Sequence, residues 1–391
     1  AAAAYAGAGQ LVHVWRQWYS LIEDVGLQYN CLAYAQIEKD GVDTGRFRAL
    51  ILPFSQAVSP REAEAIRGFV NAGGVVIADL RPAVADQHGK LRTPGLLDEL
   101  FGVTRPSGKL DLVTGVDGAF TSAFGKVPAG TALPGLSVDP NLVPTTAKAH
   151  AAAGPSPLVL VNAVGRGHAV LLNFSLARYA ASRNQPEAET YWAVLHESLA
   201  LGGVMPRVQV SGPNGPLHQL EVTSFRDGPV EYLGFLKYRV DAAEPTTAAR
   251  VTFPQGAFTY DVRAGKPLGR VEQFEAPFQP DRARLYCRLP YSVRRIEVEP
   301  SASRYQRGET VPLRLALVTN DKAAPGRHWF HVEVTAPDGT PLRHYDQNVA
   351  VVDGKGAALI PLALNDPSGR WQVQVRDVAT GLTSEAQFRV K

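Results

Sequence analysis

The stretch Ile77-Ala-Asp-Leu-Arg-Pro-Ala-Val-Ala-Asp-Gln-His88 gathers two carboxylates, a guanidinium and an imidazole on one short segment. It leaves the apolar run Val75-Val76-Ile77-Ala78, and open α/β sheets bind ligands at the carboxyl ends of their parallel strands. Asp79, Arg81, Asp86 and His88 therefore form a candidate ligand loop, suited to a sugar hydroxyl, a phosphate or a divalent cation. A plainer reading stands beside it: Asp79 caps a loop, Arg81 pairs with Asp86, and His88 is a solvated turn residue. The plainer reading is preferred, because the spacing is not that of a metal site.

Other chemistry-bearing residues point less far. His328, His331 and His344 lie near Asp346, but residues three apart on a strand face opposite ways, so they read as surface histidines and no metal ligands are assigned. Gly165-Arg166-Gly167-His168 precedes a strand rather than a helix and reads as a hairpin turn, not a phosphate loop. The sequon Asn173-Phe174-Ser175 falls in an apolar strand and is discounted. Cys31 and Cys287 show no CxxC spacing and sit in strand-like runs, which favours two buried free thiols over a long-range bridge. No catalytic residue and no cofactor is assigned.

The elements that position these residues change character along the chain. At 391 residues the length predicts two to four domains. A hydrophobic content of 45% excludes disorder, and no run approaches the ~20 apolar residues of a membrane-spanning helix. With 40 basic residues scattered among 37 acidic ones, no field marks a nucleic-acid partner. Val14, Trp18, Leu21, Ile22 and Val25 keep helical spacing up to Gly26. A short strand is expected at Tyr29–Ala33 and a buried one at Ala49–Leu52. Ser59-Pro60-Arg61-Glu62 supplies a capping box for a helix with Ala63, Ile66, Phe69 and Val70 inward, and Gly73-Gly74 ends it before Val75–Ala78. Strand, helix and strand so joined predict a parallel βαβ unit. Thr93-Pro94 reads as the cap of a helix carrying Leu96, Leu97, Leu100 and Phe101. Residues 104–157 read as an insertion or lid with short strands at best, Leu158–Phe174 as a hairpin, and Glu187–Leu201 as a last helix.

From Pro206 onward the text is strands and tight turns. The expected domains are 1–203 (α/β), 204–297 (β-sandwich) and 298–391, where Trp371, Val373 and Val375 share one strand face in a block of immunoglobulin-like size. Trp15, Trp18 and Tyr19 fall on more than one face of the first helix. Trp18 is the core residue, and Trp15 with Tyr19 is the candidate subunit contact.

The run RALILPFSQAVSPREAEAIRGFVNAGGVVIAD, with WYSLIEDVGLQYNCL before it and GLLDELFGV and LVNAVGRGHAVLLNF after it, resembles the trimerisation domain of glycoside hydrolase family 42 β-galactosidases. The resemblance implies an α/β flavodoxin-like (glutamine amidotransferase-like) domain followed by two all-β sandwich domains. YLGFLKYRV resembles the β-domain that comes next in such proteins, and GETVPLRLALV, VEVTAPDGT and DPSGRWQVQVRD resemble macroglobulin-type, immunoglobulin-like modules of exported bacterial proteins. Two departures matter. The chain has too few αβ units for the (β/α)8 barrel that carries the family's catalytic glutamates, and no retaining carboxylate pair stands out. The amidotransferase elbow position reads Asp79-Leu80-Arg81-Pro82, without the nucleophilic Cys or its flanking glycines.

The expected function is a non-catalytic oligomerisation scaffold of an exported, extracellular or cell-surface, glycosidase-like protein, with itself as partner in a homo-oligomer, fibre or surface layer. Two readings stay open beside it: the accessory half of a β-galactosidase-like hydrolase whose barrel lies upstream, and polysaccharide binding by the β modules. The head AAAAYAGAG has no starting Met and stands where the first sheet strand belongs. Either the alanines form that strand, or a neighbouring chain supplies it beside Ala49–Leu52.

Overall fold

In the computed structural model the capping box starts the helix it implies. Ser59 Oγ accepts the Glu62 N–H at 3.1 Å, and Glu62 Oε2 accepts the Ser59 N–H at 2.7 Å. The structure describes residues 8–107, 109–239, 244–320 and 324–391. They divide into two units, one ending at Pro206 and the other beginning at Arg207.

The first unit runs α1 (Ala8–Asp24), α2 (Tyr34–Asp40), β1 (Ala49–Leu52), α3 (Pro60–Asn71), β2 (Val75–Asp79), β3 (Val103–Thr104), β4 (Val113–Phe120), β5 (Ala132–Val138), β6 (Val143–Pro144), β7 (Lys148–Ala153), β8 (Ser156–Val164), β9 (Gly167–Leu172), α4 (Tyr179–Ser182) and α5 (Ala188–Ala200). Seven strands form one sheet in the order β1-β2-β9-β8-β7-β4-β5. β1, β2 and β9 are parallel, whereas the β8–β9 hairpin and the strands beyond it are antiparallel.

Strand β2 has no exposed side chain. Its alternation sends Val75 and Ile77 to a cluster with Val14, Trp18 and Leu21 of α1 and Val194 and Leu195 of α5. Val76 and Ala78 go to the opposite cluster, with Ala63, Ile66, Phe69 and Val70 of α3. The apolar stripes read from the sequence thus cover the two faces of one sheet. Where α3 crosses β9 the backbones nearly touch: a Cβ on Gly167 would lie 2.2 Å from Gly74 O and 2.3 Å from Val70 O. On the α1 side, Asp24 is fully buried and accepts from Tyr179 Oη at 2.5 Å and Arg183 Nε at 2.7 Å, tying the end of α1 to α4.

Three expectations need correction. Residues 29–33 are irregular rather than a strand, so Cys31 is exposed and only Cys287 is buried. Between Pro94 and Gly102 the chain makes turns instead of a helix. Leu97, Leu100 and Phe101 are still buried, but Asp98 turns its carboxylate back on the Gly95 N–H at 2.8 Å, and glycines at both ends leave little room for helical propagation. Residues 113–153 contain real strands, not short ones: β4, β5 and β7 extend the sheet, with register shifts around Val116 that erase the period-two signal. The alanine-rich start, residues 1–7, lies outside the described residues; β1 pairs with β2 alone among those described.

The second unit is all β: β10 (Gln209–Gly212), β11 (Gly215–Pro216), β12 (Leu220–Asp227), β13 (Val230–Lys237), β14 (Thr247–Asp261), β15 (Lys266–Phe278), β16 (Arg284–Leu289), β17 (Val293–Pro300), β18 (Arg304–Tyr305), β19 (Thr310–Thr319), β20 (His328–Thr335), β21 (Gln347–Val351), β22 (Lys355–Pro361), β23 (Gly369–Asp377) and β24 (Thr383–Val390). One sheet is ordered β11-β10-β14-β16-β13-β12, with β15 on β14. Beyond it, β17-β19-β22 faces β18-β24-β23-β20-β21, and Leu313 and Leu315 of the first share a core with Trp371, Val373 and Val375 of the second. That core also takes in Tyr260, Cys287 and Leu289 of the preceding sheet.

Ser59→Ala removes the N-cap acceptor of α3 and a 2.5 Å bond to Glu38. We expect a loss of about 1 kcal/mol, seen as a lower denaturant midpoint at unchanged slope.

Candidate functional site

The carboxyl ends of β1 and β2 carry four non-glycine residues in the left-handed region: Phe54 (φ 49°), Leu80 (φ 25°), Arg81 (φ 64°) and Ala83 (φ 55°). Such a concentration is costly and persists only where the surroundings enforce it. The turn from Asp79 to Ala83 is made without a glycine or a cysteine.

The side chains explain what enforces it. Asp79 is fully buried and takes the Phe54 N–H on Oδ1 at 2.6 Å, pinning the end of β1 to the end of β2. Its other oxygen and the indole N–H of Trp18 are both buried, and neither completes a well-aligned hydrogen bond. Burial raises the Asp79 carboxyl to about 6 against the pull of the Phe54 N–H and, after it, of the Trp18 indole and the Leu176 N–H. Arg81, also buried, gives Nε to Asp139 at 2.9 Å and its two terminal nitrogens to the carbonyls of Leu110 and Asp111. Asp139 further receives Arg105 Nε at 3.4 Å, and Arg105 closes a second ion pair with Asp98.

The structure does not bring the four candidate ligands together. Asp79 faces the core, Arg81 is consumed by Asp139 and backbone carbonyls, and Asp86 organises its own loop. Asp86 accepts the N–H groups of His88 and Lys90 at 3.0 Å each and Arg92 Nη2 at 2.8 Å, and these donors hold its carboxyl below the ordinary range. The expected Arg81–Asp86 pair is replaced by Arg81–Asp139 and Arg92–Asp86. His88 is exposed. Asn173 of the discounted sequon is buried, with Nδ2 on the carbonyls of Asp139 and Pro157 at 2.9 Å each. Among the described residues no group of three or more His, Cys, Asp or Glu is placed to hold a metal ion. This edge is a closed lock rather than an open cleft.

Sequence reasoning missed a second buried polar chain, in the second unit. His328, expected at the surface, is fully buried together with Asp377. The Tyr291 hydroxyl accepts the Gly326 N–H at 2.9 Å, which leaves its proton for His328 Nε2 at 3.0 Å. His328 Nδ1 then donates to Asp377 at 3.0 Å, and Thr380 Oγ1 donates to Asp377 Oδ2 at 2.6 Å. The residue types are those of a proton relay, but the chain has no exposed end, so its work is to join Tyr291 to β20 and β23. His331 remains near the surface, bonded to Asn348 at 2.8 Å.

Trp15 and Tyr19 sit on the outer face of α1. Trp15 is 41% exposed and Val12 48%, and Trp15 Nε1 donates to Pro53 O at 2.9 Å. Tyr19 stacks on Tyr29, with ring centroids 5.1 Å apart and planes at 1°, and its hydroxyl lies 3.8 Å from Cys31 Sγ.

Residues 9–197 match the sequence profile of the β-galactosidase trimerisation domain. The first unit belongs to that family. The fold of this trimerisation domain, taken with the β sheets C-terminal to it, is similar to the β-galactosidase of Bacillus circulans sp. alkalophilus (TM-score 0.54, 15% identity, covering 71% of this chain and 37% of that one). It is likewise similar to Gan42B, a GH42 β-galactosidase from G. stearothermophilus (TM-score 0.50, 14% identity, covering 70% and 35%). The chain thus spans about a third of the length of these enzymes. A search of curated proteins finds no match.

Asp79 supplies a direct test of the lock. Its folded pKa of about 6 lies above the ordinary 3.8, so the folded state binds the extra proton between those values and its stability falls as pH rises through that window. Relative to Asp79→Asn, the parent should lose ~3 kcal/mol between pH 4 and 6.5 and change little outside it. Urea denaturation of both proteins across pH measures the difference, and other carboxylates cancel in it.

Proposed function

We propose that this chain is a non-catalytic, self-associating part of a glycosidase-like polypeptide, and that its trimerisation domain makes its contacts through the outer face of α1. The observation that carries the reading is the stripe of Val12, Trp15 and Tyr19, which leaves apolar surface uncovered on a helix whose other face is fully buried. Aromatic rings set in polar surroundings are typical of the centre of protein interfaces. Tyr29, 37% exposed and stacked on Tyr19, widens the stripe beyond the helix. The locked carboxyl edge of β2 supports a role without chemistry, since Asp79 is buried against the Phe54 N–H and Arg81 is buried in its pair with Asp139.

The flavodoxin-like, amidotransferase-like ancestry is supported by the parallel β1-β2-β9 core, although four antiparallel strands complete the sheet. An extracellular fibre or surface layer draws support only from serial β sheets, two Cys and a single Met. The accessory role beside an upstream catalytic barrel is the second reading, favoured by the coverage of about a third of each β-galactosidase.

Sedimentation equilibrium of the purified chain should give a multiple of the 42.1 kDa protomer. Trp15→Ala/Tyr19→Ala should shift it to the protomer with the circular dichroism spectrum retained. An unchanged mass in the double variant places the contact elsewhere, and a monomeric parent removes the proposal.

A further inference from the structure

Three arginines far apart in sequence stand side by side on the outer face of the second unit. In the β18–β24 parallel ladder Arg304 is opposite Arg389, and in the β23–β24 antiparallel ladder Arg389 is opposite Arg370. All three are exposed. Among the described residues none of them has an ion pair or a side-chain hydrogen bond. The next positions are amides, the exposed Gln306 and Gln387 and the half-buried Gln372, which donates Nε2 to Glu385 at 2.9 Å, and Arg307, nearby, gives Nη2 to Ser368 Oγ at 2.9 Å rather than to a carboxylate. Like charges directly across a sheet are destabilising, so this row lowers the stability of the fold that displays it.

The backing of the row is rigid. Tyr305, Trp371 and Phe388 alternate with the arginines toward the core; Tyr305 packs edge-on against Phe388 at 5.7 Å, and Phe388 lies 5.7 Å from Trp371. With strands ~4.8 Å apart, the guanidinium groups are presented at regular intervals across roughly 10 Å of flat surface.

We propose that this face binds an acidic polysaccharide, a chain of sugars carrying carboxylate or sulfate groups. Guanidinium groups grip such anions through paired N–H donors, and glutamine amides donate to and accept from sugar hydroxyls. The row is charge-complementary to a linear polyanion whose charges recur along one axis. Nucleic acid fits less well, because no aromatic ring lies within the row for bases to stack on.

The test uses the whole chain in native gels containing polygalacturonate, dextran sulfate or neutral dextran, with a DNA duplex titrated at the same ionic strength. Retardation by at least one acidic glycan, none by dextran, and weaker binding to DNA are expected. Arg304→Gln/Arg370→Gln/Arg389→Gln should weaken glycan binding at least tenfold, whereas Arg314→Gln, which only breaks the exposed pair with Glu299, should leave it unchanged. The triple variant should melt no lower than the parent, because a repulsion has been removed, and should keep the parent's sedimentation mass. Four results would overturn the proposal: no preference for acidic glycans over dextran, undiminished binding by the triple variant, DNA bound as tightly as the glycans, or a changed mass that makes the row a subunit contact.

Discussion

Strand β2 has to satisfy two helical layers at once. Every side chain from Val75 to Asp79 is buried, so its last residue places a carboxylate where neither face offers water. The chain meets that demand by bending back the residues after β1 until the Phe54 N–H reaches Asp79, and by letting the carboxyl keep its proton to higher pH. The left-handed backbone at Phe54, Leu80, Arg81 and Ala83 arises from the same demand. Arg81, turned inward by its own backbone, then needs Asp139, and Asp139 draws in Arg105 and Asp98.

The second unit buries its polar groups in a different way. Its core takes in residues from Val230 to Val390, and the buried chain through Tyr291, His328, Asp377 and Thr380 leaves no donor without an acceptor, His328 Nδ1 being shared between both Asp377 oxygens. Removing one partner from such a chain leaves a buried polar group exposed to nothing, which costs more than the bond contributes. The network therefore specifies how β20 and β23 sit against Tyr291 more than it adds net stability.

Much of the framework was legible because local rules decide it. The capping box at Ser59, the inward faces of α1 and α3, the βαβ unit and the Trp371 strand all depend on residues within a turn or two of one another. What was not legible depends on distance along the chain. Arg81 finds its acceptor 58 residues away and His328 finds Asp377 49 residues away, and neither separation leaves a periodic trace. The row of Arg304, Arg370 and Arg389 exists only because β18 pairs in parallel with β24. The missing helix after Pro94 and the unseen strands of residues 113–153 share another cause: glycines and register shifts weaken the patterns that the sheet itself restores through long-range pairing.

The two cysteines also differ in a way that bears on how an assembly could be observed. Cys287 is buried, and its thiol is held well above its ordinary range by desolvation and by Asp377. Cys31 is exposed, on the coil that borders the stacked Tyr19 and Tyr29. Thiolate reagents discriminate steeply on access and ionisation, so the native chain comes with one addressable sulfur, already located beside the aromatic edge of α1. A spin label or fluorophore attached there would report distances between protomers with no residue changed to introduce it.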